Sequence, residues 1–230
     1  MRYSLKHASL VIFLSSLLPD AFLAQQTPAP PPSKISAAAQ PDAGSVSDNV
    51  YTNDFFGFSY TFPANWRAQS KQEQREIVEE GHKNVRGNDP EESEEHQEAM
   101  KWMWTLFGAV KDLKAGALGP SIQIVAFDLK GDPTFKNPME FLSGVSEEMK
   151  EKGAKVVQKP AESSIAGRNF FTLKMKFNIP GSSPQTVHYA ATITIERGYA
   201  LTWFLFADSP AALQELLDGL NQLKFRNSAN

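Results

Sequence analysis

The chain has no cysteine in 230 residues and only four histidines. Without cysteine there is no disulfide, no thiol nucleophile and no thiolate metal ligand, so a fold built from this sequence rests on packing alone. The G-x-S-x-G elbow of hydrolases, the G-x-x-x-x-G-K phosphate loop, the H-E-x-x-H zinc pattern and the EF-hand loop are all missing. Charge of one sign is missing too: 23 Lys and Arg face 26 Asp and Glu, for a net charge of −3. Such a balance lacks the electrostatic footprint of a nucleic-acid binder, and none is expected as a partner. No repeat of solenoid or propeller length is visible.

The longest apolar run of the N-terminal region, Ala8 to Leu18, is shorter than the ~20 residues a bilayer-spanning helix needs. Arg2 and Lys6 precede it, and Pro19 and the small Ala24 follow. That order is a secretory signal peptide, so residues 1–24 are expected to be removed, leaving no membrane span. Phe22 stands where a small residue is usual, and an uncleaved anchor is the alternative. Removing Arg2, Lys6 and Asp20 takes away a net +1, which leaves the mature chain at −4. No cysteine stands beside the cleavage site, so a lipid anchor is not expected there. A periplasmic or secreted location follows from the leader and the lack of disulfides.

Residues 25–49, rich in Pro, Ala, Ser and Gln, have little to bury and read as a disordered linker. The remainder, residues 50–226, is the size of one ordinary domain. Its opening, "FFGFSYTFPANW", holds six aromatics in twelve positions. Phe58, Tyr60 and Phe62 alternate with Ser59 and Thr61, which is the period of a half-buried strand, and Pro63 ends the pairing before Trp66 resumes it. The charged stretch from about Lys71 to Trp104 reads as an acidic helical insertion, with Asp89, Pro90 and Glu92 marking a helix start.

Two further helices carry clear start signals: Asn137-Pro138 with Glu140, and Ser209-Pro210. The first presents Phe141, Leu142, Val145 and Met149 on one face, the second Leu213, Leu216, Leu217, Leu220 and Leu223. Between them "NFFTLKMKFNI" alternates apolar residues with Lys174, Lys176 and Asn178, whose face is expected to be solvated. Arg197-Gly198 reads as a tight hairpin. The fold class is α+β: a central antiparallel β-sheet flanked by helices as an α/β/α sandwich.

Three features together resemble the PsbP-like domain: "GFSYTFPANW", the mid-chain "ESSIAGRNFFTLKMKF" in which Gly167 and Arg168 turn one strand into the next, and a strand pair before a short C-terminal helix. That fold is shared with the extrinsic photosystem protein and a nuclear Ran release factor. The resemblance covers about residues 50–226 and implies the fold, not an activity. The acidic insertion departs from the photosynthetic members, so no binding residue is carried over and no photosystem partner is implied. Exported bacterial members of the fold are the nearer match in character.

For chemistry the sequence offers His82, His96 and His188 as neutral-pH bases, and Glu92 with His96 one helical turn apart, joined by Glu95 or His82, as a metal candidate. Two or three such groups on a charged helix make no site without supporting geometry. The first reading is therefore an exported, non-catalytic module that binds an unknown protein or apolar ligand, with no cofactor, metal or catalytic residue assigned. A hydrolase or metal-dependent enzyme around His82 and His96 is the alternative. In "MKWMWTLF", Met100, Met103 and Phe107 share a helical stripe that Trp102 and Trp104 cannot both join, so one tryptophan is a candidate for a partner surface, unless the helix turns into a strand here and both rings are core.

Overall fold

A computed structural model describes residues 41–76, 101–111, 119–131, 135–179 and 185–226. Eleven strands, β1 to β11, run through the described chain: Ser45–Ser47, Val50–Asn53, Phe58–Thr61, Trp66–Ala68, Met103–Lys111, Ser121–Asp128, Lys155–Ile165, Arg168–Ile179, Gln185–Glu196, Tyr199–Ala207 and Lys224–Phe225. Helix α1 spans Pro138–Glu151 and α2 Pro210–Gly219, the latter continued by a 3-10 turn at Leu220–Gln222. Residues 71–76 are also helical.

The large sheet has seven strands in the order β4-β5-β6-β10-β9-β8-β7, each antiparallel to its neighbours. On one face α1 lays Phe141, Leu142, Val145 and Met149 over Val125, Phe127, Leu173, Met175 and Phe204. The other face meets α2 and a second sheet, β1-β2-β3-β11. Strands β6 and β10 sit in the middle and are buried on both faces, which is why they are nearly continuous apolar runs.

The architecture is α+β, with one correction to the expected single sheet. Phe58, Tyr60 and Phe62 alternate as read and are buried, but β3 lies in the small sheet and Trp66 begins β4 at the edge of the large one. The turn at Pro63, closed by the Trp66 amide on the Pro63 carbonyl, carries the chain from one layer to the other. The aromatics of β3 therefore pack down onto the large sheet, where Phe58 meets Trp203 edge-on. A second correction concerns the linker boundary. Ser45–Ser47 pair with Val50, Tyr51 and Thr52, so strand structure begins inside residues 25–49. All three β1 residues are exposed, and pairing through the main chain leaves no apolar trace in the sequence. Residues 1–40 lie outside the described residues.

Local chemistry explains the element ends. Asn137 Oδ1 accepts from the Glu140 amide and Ser209 Oγ from the Ala212 amide, as the caps predicted. Ser70 and Glu73 form a full capping box that the sequence reading missed: Ser70 Oγ accepts from the Glu73 amide, and Glu73 Oε2 accepts from the Ser70 amide. The hairpins β7-β8 and β9-β10 turn at Ala166-Gly167 and Arg197-Gly198, both residues of each pair having positive φ, as a type I′ turn requires. Arg168 thus starts β8 rather than forming the turn. In β5 a bulge between Thr105 and Phe107 lets the consecutive Leu106 and Phe107 enter the same core.

Candidate functional site

Among the described residues, α2 and the small sheet do not cover their face of the large sheet along its whole length, and the two ends left open by them differ in chemistry. At the β9-β10 hairpin end, cross-strand register places Asp128 of β6 beside Tyr199 of β10, and Tyr199 beside Glu196 of β9. Trp102 joins this row just before β5, its carbonyl accepting from the Asp128 amide. Asp128 Oδ1 in turn accepts from the Lys130 amide, which holds the turn to Gly131. Trp102 lies against Gly131, where a β-carbon would overlap the indole, and it is the one tryptophan among the large hydrophobic side chains exposed on the described surface.

Behind Trp102 the aromatics close up. Tyr199 is ringed edge-on by Phe55, Phe56 and Trp104 at centroid separations of 5.5–5.7 Å, and the Arg197 guanidinium lies 5.7 Å from the Phe55 ring centre. Burial raises the pKa of the Tyr199 phenol, and the neighbouring Asp128 adds to the shift. Glu196 is 3.4 Å from Arg168, an ion pair that would lower its pKa, yet burial outweighs Arg168 and Arg197 and raises it.

The opposite end of the same face is basic. Lys155 of β7 pairs in register with Lys176 of β8, and Lys176 with His188 of β9. A hollow of about 260 Å³ opens there. Of the sequence-singled residues, His188 alone among the three histidines is described, half-buried in this basic row. Burial lowers its pKa first, and Lys176 adds to that, against Asp208. His82, His96, Glu92, Glu95 and Met100 lie outside the described residues. The helical stripe of Met103 and Phe107 is corrected: both are strand residues of β5, buried in different cores. Trp104 packs at the rim of the core while Trp102, in the turn before β5, stays exposed, so only one of the two rings is covered. Asp128, Tyr199, Glu196 and Lys155 were not singled out from the sequence, because only strand register brings them beside Trp102 or Lys176.

No family model matches the chain, and no curated protein sequence does either. Its fold is similar to the solution structure of cyanobacterial PsbP (CyanoP) from Synechocystis sp. PCC 6803, at 13% identity and a TM-score of 0.45, covering 83% of this chain and 99% of that one. LpqN of Mycobacterium tuberculosis, described as involved in cell envelope biogenesis, is similar at 15% identity and a TM-score of 0.40, covering 73% and 82%. A Bacteroides thetaiotaomicron VPI-5482 structure is similar at 12% identity and a TM-score of 0.36, covering 76% of this chain and 47% of that one. Among the described residues, no helix is long and apolar enough to cross a membrane.

Proposed function

We propose that the protein is an exported, non-catalytic binding module that holds a basic segment of a partner protein at the Trp102 end of the large sheet. The observation that carries this reading is Trp102 itself, a large aromatic exposed at 37% yet held against Gly131, its carbonyl bonded to the Asp128 amide. An aromatic ring positioned before binding gives contact area at little entropic cost, and its face attracts a lysine or arginine side chain. Charge supports a basic partner. Glu91, Glu92, Glu94, Glu95 and Glu98 come before Trp102 in the sequence against a single Lys101, and Asp128 lies in the same row. Of the cations at this end, Arg168 is matched by Glu196 and Arg197 lies against the Phe55 ring. Export is supported by the leader at residues 1–24.

Isothermal titration with a Lys/Arg-rich peptide, compared with a charge-neutral peptide of the same length, tests the binding. The expected result is saturable heat with the basic peptide alone, weakened about tenfold or more by Trp102→Ala, as for a buried aromatic anchor. Absence of saturable heat, or heat unchanged by Trp102→Ala and Asp128→Asn, would overturn the proposal. Mass spectrometry of the secreted chain checks the export arm, with Gln25 as the expected first residue.

A further inference from the structure

The basic end of the sheet carries a second inference that does not depend on the Trp102 end. Directly opposed residues of antiparallel strands share a face with β-carbons ~5 Å apart, so Lys155, Lys176 and His188 stand in one row across three strands. Lys174, two residues before Lys176 on the same face, reaches Gln214 of α2 at 3.4 Å, which marks where the cover of α2 ends. Among the described residues, neither Lys155 nor Lys176 has an ion-pair or hydrogen-bond partner. Like charges placed directly opposite each other destabilise an antiparallel pair. The chain nonetheless keeps one such contact, Lys155 against Lys176, and sets beside it His188, whose pKa burial and Lys176 lower. A local rule broken without compensation inside the fold points to compensation from outside it.

The surroundings of the row give that compensation a shape. The hollow of about 260 Å³ is lined by Gly153, Lys155, Lys176, Phe177, Asn178 and Thr186. The Thr186 hydroxyl donates to Asn178 Oδ1 at 2.8 Å. That bond fixes the amide and leaves its N–H groups without a partner among the described residues. The groups on offer are therefore ammonium and amide donors gathered around one small open volume. We propose that this hollow binds a phosphate-bearing anion. A lone carboxylate brings one charge to the row, whereas a phosphate brings up to two and several acceptor oxygens for lysine and amide donors. A soluble phosphomonoester and a phospholipid headgroup share this chemistry.

Inorganic phosphate and pyrophosphate are titrated into the full mature chain while the backbone amides of Lys176, Asn178 and Thr186 are followed by NMR. In parallel, the protein is sedimented with phosphatidylglycerol vesicles and with neutral phosphatidylcholine vesicles. The double variant Lys155→Gln/Lys176→Gln is expected to weaken binding about tenfold or more, with an unchanged or raised unfolding midpoint because the repulsion is gone. Lys130→Gln, at the far end of the sheet, is expected to leave binding intact. Saturable shifts with the soluble anions assign a free phosphate, and sedimentation with the anionic vesicles alone assigns a headgroup, each supporting the site if the double variant loses it. No binding in either arm, or binding indifferent to the double substitution, or binding equally lost in Lys130→Gln, would overturn it.

Discussion

Gly131 has its identity set by the ring of Trp102, from the turn that precedes β5. A β-carbon at this position would overlap Cγ of Trp102, close to the root of the side chain, so the indole would have to swing as a whole rather than flex at its tip. Gly131→Ala is therefore expected to leave the cores intact but displace Trp102, seen as a red-shifted tryptophan emission with a stability change of ~1 to 3 kcal/mol. The Ser70-Glu73 box gives a second expectation at this scale. Partial burial raises the Glu73 pKa, but the Ser70 amide, the Ser70 hydroxyl and Arg67 together outweigh it and hold the carboxyl below its ordinary value. A carboxylate with a depressed folded pKa adds stability above its unfolded value of 4.5 and loses it as pH falls through the folded pKa. Wild type should lose stability on acidification below about pH 4.5, and Glu73→Gln should lose less over the same window, measured by denaturant unfolding at several pH values.

Helix α2 shows how much an element's sequence reveals and where it stops. Its Ser209 cap and leucine spacing are legible, yet the α-helical turn ends at Gly219 and a 3-10 turn follows. The tighter pitch keeps Leu220 buried, and Leu223 follows it into the core, while Leu217 stays at the margin, packed only in part. Leu216→Ala is expected to destabilise by ~2 to 5 kcal/mol, as a fully buried leucine does, and Leu217→Ala by clearly less. Chemical denaturation of both variants checks the ranking. The same limit explains the strands. Phe58, Tyr60 and Phe62 show themselves by alternation, and Arg197-Gly198 by its turn chemistry, because both are local rules. Strand β1, with all three residues exposed, and β11, only two residues long, have no local pattern to show. Of the aromatic site, the sequence points to one tryptophan of Trp102 and Trp104 without choosing between them, and the Arg197-Gly198 turn sets Glu196 opposite Tyr199. Asp128 and Trp102 join that row only through pairing of β10 with β6 and of β6 with the start of β5, which no spacing encodes. At the far edge, β7 is long but unsuited to adding a foreign strand: Pro160 lacks a donor, Lys155 and Lys159 are exposed, and two register shifts bend it.

For the whole molecule, the segment from Lys71 to Glu98 offers only Ile77, Val78 and Val85 as bulky aliphatic side chains. Replacing Gly81 to Ser93 with a short Gly-Ser linker is expected to leave a single cooperative unfolding transition while weakening capture of the basic peptide. A chain that no longer folds would remove the insertion from the functional reading. The order of strands carries a consequence of a different kind, one about time. Strand β10 lies between β6 and β9 at the heart of the large sheet, and β11, the last strand of the described chain, seals the edge of β3, one of the first. A polypeptide leaving the ribosome from its N-terminus cannot close the large sheet before β10 has emerged, nor the small one before β11. Pairings so distant along the chain also form slowly, since the loop entropy is lost before the contacts are made. The nascent chain thus stays unlocked until those strands are out, the condition in which a polypeptide can still be threaded through a narrow pore.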